Sequence, residues 1–74
     1  MNILQAENGR WVKIIALHGG RGMQHRLAQL GFLPGNTARV IRFAPFHGPL
    51  LIDVDGREIV LGRGIARHIM VEYT

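Results

Sequence analysis

Apolar residues recur along the chain in short segments separated by glycine, proline and one Asp-Gly pair. Segments of five to seven residues with these boundaries are typical of β-strands. We predict five strands, which span residues 11–17, 37–43, 50–54, 57–61 and 68–73. One segment has helical spacing instead: in residues 21–30, Met23, Leu27 and Leu30 fall on one face.

Residues 30–35, Leu-Gly-Phe-Leu-Pro-Gly, predict how this helix ends and how the chain then turns. Gly31 stands where a helix end needs a left-handed residue, which glycine adopts without a Cβ clash. Phe32 then folds back onto the last helical turn. Pro34 and Gly35 occupy the centre of a type II turn, since proline presets the first φ angle and glycine supplies a positive second one.

The Asp55-Gly56 pair between two apolar segments predicts a β-hairpin with a two-residue turn. Such a turn fixes the register of the two strands. We expect the pairs Leu50–Leu61 and Ile52–Ile59 on one face, and Leu51–Val60 and Asp53–Glu58 on the other. The two carboxylates of the last pair repel each other when directly opposed, and we expect the neighbouring Arg57 to relieve that repulsion.

The remaining segments complete the predicted fold. The first strand has apolar residues on both faces, so we expect the helix to cover its outer side. Residues 1–9 are interpreted as a lead-in with one ordered turn, and residues 62–67 as a single helical turn. The predicted fold is mostly β: one domain over residues 1–74, a small SH3-like five-stranded barrel with one short α-helix after strand 1 and a helical turn before the last strand.

The composition narrows the classes of function. The chain has 74 residues, no cysteine and a net charge of +4, and most of its nine cations are arginine. We therefore expect neither a disulfide nor a thiolate metal site. The positive charge is compatible with acidic partners, but the cations are spread along the chain, which is more typical of a surface charge that keeps the protein in solution. No apolar run approaches the ~20 residues of a membrane helix, and no signal peptide is recognisable. We expect membrane association only through a partner.

Residues able to carry catalysis or to bind a metal are sparse. The chain has no serine, no cysteine and no GxxxxGK[ST] phosphate-binding loop. The four histidines, His18, His25, His47 and His68, have no metal-ligand spacing. Gly19–Gly22 is more typical of a plain turn than of an anion site. We therefore expect no enzymatic activity, no cofactor and no specific metal site.

Residues 44–49, Ala-Pro-Phe-His-Gly-Pro, predict a loop between the second and third strands. An aromatic residue, Phe46, lies in this loop with His47 beside it. Two arrangements are open: the ring of Phe46 is tucked into the mouth of the barrel, or it is offered to a partner.

Taken together, these motifs resemble the FeoA family, small accessory proteins of bacterial ferrous-iron transport. The resemblance extends from Gly9 onwards and is most specific in residues 30–35, which match the Leu-Gly-(Phe/Leu)-x-Pro-Gly signature of the family. Its other elements are Gly19-Gly20 before the helix, Pro45, Gly48 and Pro49 in the loop, Gly56 in the hairpin, and the closing series Leu61, Ala66, Ile69 and Val71. The chain departs from the family at Ile3 and Ala6, where leucines are common.

The resemblance implies an SH3-like protein of the cytoplasm, recruited to the inner membrane through FeoB, the ferrous-iron transporter with a cytosolic GTPase domain. It implies a non-enzymatic accessory or regulatory role through protein–protein interaction. We expect the partner-binding surface to comprise Arg21, Arg26, Phe46 and His47. The alternative is a nucleic-acid-binding barrel that uses the arginines of residues 39–42, although no aromatic pair interleaves with them. Weak self-association through the barrel edges is also open.

Overall fold

The computed structural model describes residues 1–74 and contains five strands and two short α-helices. In chain order the elements are the 3₁₀ turn Ile3–Gln5, β1 (Val12–Leu17), α1 (Arg21–Gln29), β2 (Thr37–Phe43), β3 (Leu50–Val54), β4 (Arg57–Leu61), α2 (Arg63–Ala66) and β5 (Ile69–Tyr73). Each predicted strand and helix is present, with its ends within one residue of the expected bounds. Neither helix has the length and apolar character needed to cross a membrane.

All neighbouring strands are antiparallel, and their order in the sheet is β4-β3-β2-β1-β5. Because β4 and β5 do not pair, the sheet is an open barrel of the predicted SH3-like type. The β3–β4 hairpin has the predicted register along its whole length. Asp55 and Gly56 have φ angles of +50° and +74°, as a two-residue type I′ turn requires.

A hydrophobic core of 15 buried residues lies against one face of this sheet. Alternate strand residues point into it, as in β3, where Leu50, Ile52 and Val54 are fully buried. Leu27 is the buried residue of α1, and Phe32, just after the helix, is among the largest fully buried side chains. Removal of this apolar surface from water is what holds a nine-residue helix with no side-chain N-cap in place.

The end of α1 follows the predicted pattern. Gly31 has a φ angle of +104°, and its N–H donates to the carbonyl of Ala28 at 3.0 Å. The N–H of Phe32 donates to the carbonyl of Leu27, also at 3.0 Å. These two bonds form a Schellman motif, which satisfies carbonyl groups that the helix leaves unpaired.

The turn that follows the helix is tied to β1. Gly35 has a φ angle of +98°, and the N–H of Asn36 donates to the carbonyl of Leu33 at 3.0 Å, which confirms the type II turn. Gly35 N–H donates to the carbonyl of Ile14 at 2.7 Å, and the N–H of Ile14 donates to the carbonyl of Asn36 at 2.9 Å. The turn therefore delivers β2 directly beside β1.

Two irregularities interrupt the strand pairing. The register between β1 and β5 shifts between Ile14 and Ala16, and the residue between them, Ile15, is 46% exposed. The predicted cover of this face of β1 by the helix is therefore wrong, since Trp11 and Ile15, which lie on this face, are 43% and 46% exposed. A second shift, between Val40 and Arg42, interrupts the pairing of β2 with β3 and explains the irregular alternation in β2.

The N-terminal residues contribute more than a lead-in. Ile3, the first residue of the 3₁₀ turn, and Ala6, which follows the turn, are buried in the core. Met1 and Asn2, here called the N-terminal strap, run along the outer edge of β5. The N–H of Val71 donates to the carbonyl of Met1 at 2.8 Å, and Asn2 forms an antiparallel bridge to β5. The strap covers the β5 edge, whereas β4 pairs with β3 alone.

Candidate functional site

The 44–49 loop, between β2 and β3, is closed by a tight turn with unusual backbone angles. The N–H of Gly48 donates to the carbonyl of Pro45 at 3.1 Å, which makes Phe46 and His47 the two central residues of the turn. Their φ angles are +58° and +56°. A positive φ is uncommon for any residue with a side chain and is an outlier for a bulky one. Outliers of this kind cluster at functional sites.

Phe46 points away from the barrel. Its side chain is 97% exposed, which excludes the arrangement in which the ring is tucked into the barrel mouth. The other strongly exposed apolar residues of the chain are 37–64% exposed. A large aromatic ring in water gains free energy when another molecule covers it. The tip of the 44–49 loop is thus the most conspicuous apolar feature of the surface.

The base of the 44–49 loop is held firmly although its tip is exposed. Arg63 of α2 donates from Nε to the carbonyl of Gly48 at 3.1 Å, and its guanidinium lies 5.9 Å from the centroid of the Phe43 ring. The N–H of Ala44 donates to the carbonyl of Pro49 at 3.0 Å. The sequence did not predict that Arg63 holds this loop. The hydrogen bond from Arg63 to Gly48 joins residues far apart in sequence, and no local motif encodes it.

Gly48 is confined sterically rather than by its φ angle. A Cβ at this position would lie 2.9 Å from the Cβ of Ala44 and 3.0 Å from the carbonyl oxygen of Pro45. Any side chain here would push the two arms of the loop apart. Gly48 and Pro49, noted in the sequence for their family resemblance, therefore shape the base on which Phe46 is presented.

Arg26, one of the two helix cations of the expected partner surface, lies on a different part of the molecule from the 44–49 loop. Arg21 and Arg26 are exposed on α1. The end of α1 is tied to the β3–β4 turn, because Arg57 donates from Nη2 to the carbonyl of Leu30 at 2.8 Å. The 44–49 loop lies at the other end of β3, and a strand of five residues spans about 17 Å. The structure therefore does not join Arg26 and Phe46 into one continuous patch.

Arg39 is engaged within the sheet. Its Nε lies 3.3 Å from Oδ2 of Asp53, and its guanidinium lies 4.6 Å from the centroid of the Trp11 ring. Asp53 is directly opposite Glu58, as predicted. The prediction that Arg57 relieves the repulsion between these carboxylates is wrong, because Arg39 on β2 pairs with Asp53 and Arg57 is used at the end of α1. The ion pair with Asp53 thus partly neutralises the charge that Arg39 could offer to a phosphate of a nucleic acid.

The histidines and the glycine-rich turn before α1 form no assembled site. No group of three or more metal-ligating side chains exists in the structure. His18 and His68 are neighbours through their backbones, with the N–H of His18 donating to the carbonyl of His68 at 2.8 Å. Gln24 donates from Nε2 to the carbonyl of Gly19 at 2.9 Å, a contact that closes the turn into α1.

A family model and a curated relative show the family of the chain. A family model described as the FeoA domain matches residues 1–73. A protein of Methanocaldococcus jannaschii, provisionally named Fe(2+) transport protein A, is 37% identical over 67 residues, which are 90% of this chain and 79% of that protein. A crystal structure of an iron uptake regulatory protein (FeoA) is similar with a TM-score of 0.89 at 26% identity, over 100% of this chain and 96% of that one. The solution structure of iron(II) transport protein A from Clostridium thermocellum gives a TM-score of 0.93 at 26% identity, over 100% of this chain and 46% of that one.

Proposed function

The chain belongs to the FeoA family, and we propose that it is a non-enzymatic accessory protein of ferrous iron transport that binds the cytosolic side of the membrane transporter FeoB. The family relatives are named for iron(II) transport or iron uptake. In this proposal the protein works in the cytoplasm and reaches the inner membrane through its partner.

The observation that carries this proposal is the exposure of Phe46 on a firmly held loop. Residues that dominate protein interfaces are often aromatic side chains that fill a pocket of the partner. Phe46 has its whole ring free for such a contact, and the Pro45–Gly48 turn and Arg63 hold the backbone that carries it. A loop that is already ordered loses little conformational entropy on binding. His47 shares the tip and lies within reach of the same partner.

The contribution of Phe46 to the binding free energy can be estimated from the apolar area that its side chain would bury. Complete burial of a phenylalanine side chain contributes about 1.5–3 kcal/mol, which corresponds to roughly a tenfold to hundredfold change in Kd. Truncation of Phe46 should therefore weaken the complex by at least about tenfold. Because the side chain touches little within the protein, the same truncation should leave the free energy of unfolding unchanged within ~0.5 kcal/mol.

The test is a binding measurement with full-length FeoB reconstituted in lipid nanodiscs. Phe46→Ser should lose binding, whereas Leu33→Ser should bind like the unmodified protein. Leu33 is a suitable control because it is also an exposed apolar residue in a turn, 48% exposed, but lies beside the end of α1. Equal binding by Phe46→Ser and the unmodified protein would remove the loop from the interface. Absence of any binding by the unmodified protein would refute the proposal itself.

The contribution of the helix cations is tested separately, because Arg26 lies apart from the 44–49 loop. We propose that Arg21 and Arg26 provide a second, electrostatic contact with acidic residues of FeoB. Arg26→Glu should slow association and make the remaining affinity less dependent on salt. Lys13→Glu, a matched charge reversal at an exposed position of β1, should have little effect. If both reversals reduce binding equally, only the net charge of +4 matters and the helix has no special role.

A further inference from the structure

We propose that the free edge of β4 is a docking site for an extended segment of another protein, which joins the sheet as an additional antiparallel strand. The segment carries an apolar residue followed, two positions later, by lysine or arginine. This site is separate from the 44–49 loop and from α1, and it does not depend on the function proposed above.

The β4 edge is the edge of the sheet with which no other segment pairs. β4 is the terminal strand in the order β4-β3-β2-β1-β5 and pairs with β3 alone. The opposite edge, on β5, is occupied by the N-terminal strap. Unpaired N–H and C=O groups along an open edge are a ready template for another strand.

The hairpin geometry identifies which backbone groups of β4 are free. A two-residue turn makes the flanking residues, Val54 and Arg57, a hydrogen-bonded pair. Along an antiparallel ladder, bonded and non-bonded pairs alternate, so Glu58 and Val60 direct their N–H and C=O groups away from β3. Both residues also have exposed side chains, and Val60 at 64% is among the most exposed apolar residues of the chain.

The residues that lie beside Glu58 on the neighbouring strands indicate which side chain an incoming strand should place next to it. Across the sheet, Arg39 is paired with Asp53, and Asp53 with Glu58. The ion pair of Arg39 goes to Asp53 at 3.3 Å, whereas Glu58 takes part in neither of the ion pairs in the structure. A cation on an incoming strand would therefore relieve the repulsion between two opposed carboxylates.

The residue that lies beside Val60 on the neighbouring strand is apolar rather than charged. Val60 is directly opposite Leu51, which is half-buried, so the position on the other side of Val60 favours an apolar side chain. An antiparallel segment meets Val60 before Glu58, which gives the order apolar and then basic. A second copy of β4 does not meet this requirement. In the antiparallel registers that let the outward N–H and C=O groups of two β4 strands bond, Glu58 lies opposite Val60, another Glu58 or Gly62, and never opposite a cation.

The proposal is tested by NMR titration of the ¹⁵N-labelled full chain with two capped peptides, Thr-Thr-Val-Thr-Lys-Thr-Thr and the same peptide with Glu in place of Lys. Amide shifts should be confined to β3 and β4, and the Lys peptide should bind about threefold to fivefold more tightly. Glu58→Lys should reverse this preference. Glu72→Lys, the same charge change at an exposed position of β5, should not.

A proline variant separates the backbone contribution from the charge. Val60→Pro removes an outward N–H that β3 does not use, so binding should fall at least about fivefold in a protein that still shows native shifts elsewhere. Equal affinity for the two peptides, an unchanged preference in Glu58→Lys, or no shifts with millimolar peptide would overturn the proposal. Shifts in β4 on raising the protein concentration alone would also overturn it, in favour of self-pairing. The titration contains no transporter, so its failure and the failure of FeoB binding are distinguishable.

Discussion

Replacement of Gly31 by alanine should destabilise the protein by two separable contributions. The first is backbone strain, since an L-residue in the left-handed region costs about 1–2 kcal/mol and Gly31 has a φ angle of +104°. The second is steric. A Cβ at Gly31 would lie 3.2 Å from Nη2 of Arg57, the atom that donates to the carbonyl of Leu30. The guanidinium must move by a few tenths of an ångström, which weakens a hydrogen bond that contributes about 1 kcal/mol.

Gly35→Ala supplies the matched control, because Gly35 has a similar φ angle of +98° but open space where its Cβ would stand. Gly35→Ala should therefore cost the strain alone, about 1–2 kcal/mol, and Gly31→Ala about 2–3 kcal/mol. For a domain of this size these costs lower Tm by about 4–16 °C and about 8–24 °C, respectively. Thermal unfolding followed by circular dichroism, with urea denaturation for the free energies, measures both.

The Arg57→Ala background completes the test. Without the guanidinium, the cost of Gly31→Ala should fall to that of Gly35→Ala, since only the strain remains. Two results would refute the reasoning. A neutral Gly35→Ala would show that the left-handed conformation is not costly here, and an undiminished cost of Gly31→Ala in the Arg57→Ala background would show that the displaced hydrogen bond is not its second source.

Three further substitutions test the core, the sheet surface and the loop. Leu27→Ala should cost about 2–5 kcal/mol in urea denaturation, because it opens a cavity at a fully buried position. Arg39→Ala should cost about 1 kcal/mol or less and lose part of that effect in high salt, because its ion pair with Asp53 is partly exposed. Arg63→Ala should speed hydrogen exchange at the Gly48 amide about fivefold while exchange in the strands is unchanged, because it releases only the base of the 44–49 loop.

The parts of the fold that the sequence predicts correctly are those with local causes. The Asp55-Gly56 turn sets the hairpin register without help from the rest of the chain, and the register is as predicted. The end of α1 is equally local, because Gly31 and Phe32 satisfy the carbonyls of the turn immediately before them. In both cases the decisive residues lie within a few positions of one another.

The parts that the sequence does not reveal depend on contacts between distant segments. Ile15 looks like a strand residue that the helix covers, but it is 46% exposed, at the position where the pairing of β1 with β5 shifts register. Arg57 is the nearest cation in sequence to the Asp53–Glu58 pair, yet the register between β2 and β3 brings Arg39 to Asp53 instead. The exposure of Phe46 follows from a turn in which Phe46 and His47 both have positive φ angles. Neither residue is a glycine, so the sequence does not indicate these angles.

The N-terminal strap sets a limit on assembly. A sheet with one open edge can add a strand only at that edge. A sheet with two open edges can join head to tail, and contacts of that kind that do not close by rotation grow into filaments. The hydrogen bond from Val71 to Met1 and the bridge at Asn2 therefore prevent the addition of another strand at the β5 edge. Loss of these two residues would open the second edge of the sheet and remove this limit.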